Sequence, residues 1–484
     1  MHKSLIGSLI LLYSCVSIPD LNNEKNFSTI SLEHSVNDAL ADKEFNKGDW
    51  PSTDWWEMFK DPQLACLIQK ALVHNPTLQK TIAQMNQAWQ EASIRKSAFW
   101  PELDFSAQDN WQYFGKNSFL RALAPTAQSV YNQIDLSLNF FYEIDFWGKN
   151  RHLFYSALGL AKAHSAETAQ SVLLISTSIA LAYFDLQNSY KKLTLLNEIK
   201  DVRSSRLNLV KMRRMHALST DIEKIQNQTP VLDVDAFILQ YQQKIELDKH
   251  LIKALIGESP DSEEILAQPR AVFDHPFPLP ENISLNLLAR RPDLMAQIWR
   301  VEAAAHQIGV AKTLFYPNVN LSAFAGLESL HFNDLFSWNS KIASLLPALN
   351  LPIFTAGRLR ANVNAKETLY ESAVYAYNEL LLNAAKEVAD QITTFKFVNA
   401  QLSIQEANLA SLIQRYKLTS LRFTDGISNY LNVLSAEEDV LNQRIQLTDV
   451  EYGRFIAALK LIKALGGGYD GSDYSPIKNE AVHD

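Results

Sequence analysis

Across residues 358–425 the chain contains neither glycine nor proline, and apolar positions recur at spacings alternating between three and four. Leu381, Ala385, Val388, Ile392, Phe395, Asn399, Leu402, Glu406, Leu409, Ile413 and Tyr416 follow this rhythm, and only Asn399 and Glu406 break its apolar character. Such a heptad seam predicts one long helix packed lengthwise against others. A less pure version runs through Val172, Ile175, Ile179, Ala182, Leu186, Leu193, Leu196, Leu207 and Val210, in a glycine-free stretch, residues 160–256, whose one proline is Pro230. A helix of about 65 residues is roughly 100 Å long at about 1.5 Å per residue. The most apolar part, residues 168–184, is interrupted by Thr168, Gln170, Ser171, Ser176, Thr177 and Ser178. It reads as an amphipathic helix, not a membrane span.

Elsewhere the period is two. Leu103, Phe105 and Ala107 alternate with Asp104, Ser106 and Gln108, and Ile134, Leu136, Leu138 and Phe140 alternate with Asp135, Ser137 and Asn139. Val319, Leu321 and Ala323 alternate with Asn318, Asn320 and Ser322. A fourth segment, residues 342–353, is apolar, less regular and holds Pro347 and Pro352. Four strands of about ten residues follow, the length a tilted membrane strand needs. Polar loops with aromatic residues, near 111–130 and 328–339, join them in pairs. The expected fold is therefore mainly α with a small β part.

The period switches at two similar stretches, FWPELDFSA at 99–107 and FYPNVNLSA at 315–323. Proline lacks an N–H and disfavours helix in the residue before it, so Trp100-Pro101 and Tyr316-Pro317 mark helix–strand boundaries. An aromatic ring at each suits a membrane–water boundary. The halves match further. Pro76 and Pro292 each lie 25 residues before the boundary proline, and Leu78, Ile82, Ala88, Lys96 and Phe99 match Leu294, Ile298, Ala304, Lys312 and Phe315. At an offset of 209, Gly148 faces Gly357, Arg213 faces Arg422 and Gly257 faces Gly466. The chain reads as an internal duplication, residues 51–270 and 271–470, followed by a polar tail, 471–484. Four membrane strands cannot close a barrel, because open edges in lipid leave backbone groups unpaired. Several copies must pool their strands, most simply in a cyclic ring.

The N-terminus, MHKSLIGSLILLYSC, has a short basic start and an apolar core, and residues 1–14 read as a signal peptide. Leu12-Tyr13-Ser14-Cys15 resembles a bacterial lipobox, with Cys15 as the lipid-carrying residue; an ordinary signal peptide with an incidental cysteine is the alternative. Residues 15–50 show no period and read as a lipidated tether. Of the two cysteines, Cys66 lies in an apolar helical segment and is expected to be buried. A net charge of −8 without a basic block argues against nucleic-acid binding. There is no Gly-rich phosphate loop, G-x-S-x-G or H-E-x-x-H, and the 11 histidines do not pair at metal-ligand spacing on helices. No enzyme, metal or cofactor is expected beyond the lipid on Cys15.

Several motifs stand out in order: Trp55-Trp56 with Phe59, Asp61-Pro62, Leu64, Ala71-Leu72 and Asn75-Pro76, then Asp145-Phe146-Trp147-Gly148-Lys149, Ala289 through Leu294 (ARRPDL), the stretch from Phe354 to Arg360, and LIKALGGGY at 461–469. Together they resemble TolC-like outer-membrane factors, in their NodT-like lipoprotein branch. The resemblance covers nearly all of residues 50–470. It implies a homotrimer in the outer membrane of a Gram-negative bacterium. Each chain would give four strands to a twelve-stranded barrel, and the helices would form a periplasmic tunnel. Such ducts pair with a periplasmic adaptor and an inner-membrane transporter, commonly of the resistance-nodulation-division type, and expel small molecules. Protein secretion and metal-ion efflux are alternatives, and a pore-free coiled-coil envelope lipoprotein is a more distant one. The turns near 213–224 and 422–434 match the family's periplasmic tip, with Ala217 where glycine is usual and Gly426 in the second copy. Glu223, Arg422 and Asp425 are the candidates for a closing gate, beside the alternative of plain solvated turn residues. Asn432 and Ser435 stand where some relatives carry an acidic ring.

Overall fold

The computed structural model describes residues 30–471, apart from 125, 127, 264 and 282. The signal peptide, Cys15 and the tail from 472 onward lie outside the described residues. In chain order the elements are α1 (Glu33–Leu40), β1 (Phe45–Lys47), α2 (Pro62–His74), α3 (Pro76–Ser97), β2 (Glu102–Tyr113), α4 (Phe119–Leu123), β3 (Val130–Ile144), α5 (Lys149–Met215) and α6 (Asp221–Leu255). There follow β4 (Phe277–Leu279), α7 (Ile283–Arg290), α8 (Pro292–Thr313), β5 (Asn318–Ser329), β6 (Lys341–Asn350), α9 (Arg358–Thr424) and α10 (Tyr430–Ala464). The protein is mostly helical. Matching elements of the two halves have equal lengths: 67 residues in α5 and α9, 35 in α6 and α10, 22 in α3 and α8, and 12 in β2 and β5.

The chain divides into two compact units. The described part of the first is formed by Asn86–Ala163 and Gln297–Ala376. It contains a four-stranded antiparallel sheet in the order β2-β3-β5-β6. The strands end close to the predicted limits, with two differences. β3 is longer, at 15 residues, and β6 stops at Asn350, before Pro352. Pro347 lies within β6, an edge strand where a missing donor is tolerated. Both boundaries are built alike. Phe99 and Trp100 donate backbone N–H bonds to Lys96 and Ser97, and Phe315 and Tyr316 donate to Lys312 and Thr313. The helix tightens to i→i+3 bonds just before the proline stops it. Small residues let the helices of this unit approach closely: Ala88, Ala92 and Ala161 form one buried cluster, and a Cβ on Gly159 would lie 3.1 Å from the Trp299 carbonyl.

The second unit contains the described parts of Ser28–Met85, His164–Ala296 and Tyr377–Asp484. Its heptad seam is real. Leu381, Val388, Ile392, Phe395 and Asn399 are buried, and Leu402, Leu409, Ile413 and Tyr416 are half-buried. An aromatic core joins Phe59 to Phe184 (4.8 Å), Phe273 (5.7 Å) and Phe455 (5.9 Å). The proline-containing motifs are pins. Asp61 caps α2 through Gln63 N–H (3.0 Å) and also accepts from Tyr183 Oη (2.8 Å) and Arg270 N–H (3.0 Å). Burial, then this carboxylate, push the Tyr183 hydroxyl far above its usual pKa. Asn75 accepts from Thr77 and Leu78 N–H and donates to the Leu255 carbonyl at 2.7 Å. Arg291 is buried and bonds Asp293 (2.7 Å), Glu387 (2.9 Å) and the Ala464 carbonyl (3.0 Å).

Two expectations are corrected. Residues 33–47, read as part of a tether without regular structure, form α1 and β1. β1 pairs in parallel with β4, and Phe45 is buried against Phe395 at 5.2 Å. Elements of eight and three residues are too short to display a period. Cys66, expected to be buried, is exposed. Leu64, Leu67, Ile68 and Ala71 form the buried stripe of α2, and at about 100° per residue position 66 falls away from it.

Gly466 tests the packing of the second unit. Its φ is +91°, and a Cβ there would lie 1.9 Å from the Arg290 carbonyl oxygen. Gly466→Ala is expected to destabilise the protein by about 2 kcal/mol or more, read as a lower thermal midpoint; an unchanged midpoint contradicts the close approach.

Candidate functional site: a two-faced sheet and two helix turns

Alternation along β2, β3 and β5, locked by register, gives the sheet two different faces. Phe105 pairs with Leu138, which pairs with Ala325, which pairs with Ala343. Together with Leu103, Ala107, Leu136, Phe140, Ala323, Leu327 and Leu345 they make an apolar band across all four strands, ending at Asp109 and Lys341. The opposite face carries Asp104, Ser106, Gln108, Asp135, Ser137 and Asn139. The Ser106 and Ser137 hydroxyls bond at 2.9 Å, and Asn139 Nδ2 donates to both, at 3.0 and 3.2 Å. On the apolar face Leu103, Phe105 and Leu345 are about two-thirds exposed, at 64%, 68% and 66%. A contiguous apolar surface of this kind marks contact with lipid or protein. β2 and β6 each pair on one side only among the described residues.

The boundary residues sit at the helix-side ends of β2 and β5. Trp100 is 75% exposed. Tyr316 is half-buried, stacked on Trp147 at 4.6 Å and 15°, and Trp147 Nε1 donates to the Pro317 carbonyl at 2.8 Å. The structure therefore brings Tyr316 and Pro317 together with the turn that follows β3. Among the described residues it does not bring Trp100 and Pro101 into an equivalent stack. Trp147 stands in the Asp145–Lys149 motif but is not among the candidate boundary residues; its contact with Tyr316, 169 residues away, leaves no local signal. Asp145 caps α5 by accepting from Asn150 N–H (3.1 Å) and Arg151 N–H (3.0 Å).

The two turns that link the long helices repeat one geometry. Leu218 N–H bonds the Arg213 carbonyl and Ala217 N–H the Arg214 carbonyl; Ile427 N–H bonds the Arg422 carbonyl and Gly426 N–H the Phe423 carbonyl. Both are Schellman closures, which require a left-handed residue. Gly426 supplies it at φ +72°, and Ala217 supplies it at φ +58°. Thr220 then caps α6 and Asn429 caps α10. Glu223 belongs to the first cap: its N–H donates to Thr220 Oγ1 and its carboxylate accepts from the Ser219 hydroxyl. Arg422 lines an open polar groove of about 670 Å³ with Arg415, Asn429, Asn432, Ser435 and Asp439. Arg415 is ion-paired with Asp439 across it. Asp425 is exposed. Among the described residues Glu223, Arg422 and Asp425 form no ion pair with one another. No group of three His, Cys, Asp or Glu among the described residues converges as a metal site.

Residues 67–258 and 284–467 match the outer membrane efflux protein family. The chain is 28% identical over 474 residues to the multidrug resistance outer membrane protein MdtP of Escherichia coli, with 96% of each chain covered. It is 28% identical over 431 residues to the toluene efflux pump outer membrane protein TtgF of Pseudomonas putida, covering 88% of this chain and 87% of TtgF. The crystal structure of the outer membrane protein VceC of Vibrio cholerae matches with a TM-score of 0.79 and 33% identity, over 87% of this chain and all of VceC.

The left-handed alanine gives a paired test. Ala217→Gly is expected to stabilise the first turn by about 0.5–1 kcal/mol, the relief of a left-handed Cβ less the entropy glycine costs. Gly426→Ala should destabilise the second turn by a similar amount. Hydrogen exchange at the two turns should move in opposite directions; equal responses contradict the geometry.

Proposed function

This chain belongs to the outer membrane efflux protein family, and we propose that three copies of it close one twelve-stranded barrel. Its place is the outer membrane, and its role is transport in efflux. The observation that carries the trimer is the sheet: four strands, one apolar face, an opposite face that is polar across β2 and β3, and two open edges. In lipid the edges must be paired, and only other copies of the sheet offer matching strands. Two copies would make eight strands, a bore that side chains fill. Three make twelve and leave a lumen lined by the polar face.

The long helices continue the duct into the periplasm, and their equal lengths in the two halves support an internal duplication. MdtP and TtgF are named for multidrug resistance and toluene efflux, which favours small organic molecules as cargo. An adaptor protein and an inner-membrane transporter of the resistance-nodulation-division type are the partners this reading requires, and the transporter supplies the energy. The lipid on Cys15 is a further part of it. Cys15→Ser should remove the acyl groups from the mature protein, while trimers still assemble; an unchanged mature mass refutes lipidation.

The turns at Arg213 and Arg422 form the closing tip. Arg422 and Asp425, exposed and without an ion-pair partner among the described residues, are placed to meet neighbouring copies. In planar bilayers the purified protein should conduct, weakly while the tip is closed. Arg422→Ser and Asp425→Ser should each raise the conductance severalfold. Absence of any conductance opposes the duct itself; unaltered currents in both variants remove these two residues from the gate.

A further inference from the structure

Within the first unit, α5 and α8 pack face to face through residues spaced one turn apart. Gly159 meets the backbone of Trp299 and Ala303. Gln307 Nε2 donates to Ser156 Oγ at 2.7 Å. One turn further toward the start of α5, His152 Nδ1 and His306 Nδ1 lie 3.0 Å apart. Two imidazole nitrogens at this distance must share one proton: one donates and the other accepts. If both rings are charged, both nitrogens carry a proton and the contact becomes repulsive.

The surroundings give the rings little room to separate while the helices stay packed. His306 is stacked on Tyr155 at 5.3 Å and 24°. His152 fills the space left by a missing side chain, since a Cβ on Gly309 would lie 2.6 Å from its Nδ1. His152 is also the fourth residue of α5, beside the positive end of the helix dipole. The charged groups acting on His152 besides His306 are Asp145, from the turn before α5, and Arg151, from α5 itself. Asp145 favours a charged ring, but it is already engaged by two α5 amides and by Arg151 at 3.5 Å.

We propose that His152 and His306 form an acid-sensitive latch that holds α5 to α8 while at least one of the two rings is neutral, and releases this contact when both are charged. The latch sits where β3 gives way to α5 and where α8 leads into β5, so its opening loosens the helical support of the strands. A protein of the outer membrane meets the pH of the cell's surroundings, which gives the device a stimulus. Burial, then His306, hold the His152 pKa below its ordinary value of 6.5, with Asp145 opposing and Arg151 adding to the fall. The unfolded chain therefore takes up this proton more readily than the folded one. The contribution to stability is full above the ordinary value and is lost as pH falls from there toward the depressed folded value.

Thermal midpoints of the purified full chain in detergent, at about pH 7.5 and about pH 5, test the latch. Other groups contribute an acid-induced fall common to every variant, so the comparison with wild type is the readout. His306→Gln leaves a neutral partner and should reduce the fall by about half or more. Gly309→Ala provides an independent arm: its Cβ evicts the flexible His152 ring without removing it, and should also flatten the pH response. Should either substitution prevent folding, the other decides. A fall in midpoint as steep as wild type in a folded variant overturns the proposal.

Discussion

Unpaired backbone groups at a sheet edge cannot be left in hydrocarbon, where no water can satisfy them. This constraint governs the rest of the molecule. The chain presents a sheet of four strands whose outward β2 and β6 edges have no partner among the described residues. Its apolar face is too exposed for a water-soluble domain and its polar face is cross-linked by a Ser106–Ser137–Asn139 network. A single copy satisfies neither the edges nor the apolar face. Pairing with further copies would satisfy the edges, and lipid would cover the apolar face.

The helices meet a different demand, which is to deliver two hairpins of the sheet in register. Each half does so with the same parts. A 22-residue helix ends in an i→i+3 turn at an aromatic–proline pair, and the strand starts immediately afterward. Within the second unit, Asp61, Asn75 and Arg291 act as structural pins. Each binds both neighbouring groups and at least one group far away in sequence. They hold the ends of helices whose own apolar stripes specify direction but not axial position.

Much of this was legible in the sequence because the periods are long and pure. The α9 seam and the alternation in β2, β3 and β5 follow from spacing alone. What escaped was short or non-local. α1 and β1 are too brief for a period, and Cys66 fell on the wrong side of an otherwise apolar helix. The stack of Trp147 on Tyr316 joins residues 169 apart, and the contact of His152 with His306 joins residues 154 apart. No local pattern announces such pairs. Of the tip residues, Glu223 proved to be bound into its own helix cap, which its Thr-x-x-Glu spacing could have revealed.

The central claim is that one chain cannot seal its own sheet. Light scattering of the purified protein in detergent, corrected for bound detergent, measures the protein mass of the assembly directly. The account predicts three chains per particle with no appreciable monomer. A stable, folded particle containing a single chain would contradict it, because its two strand edges would then persist in an apolar environment without partners.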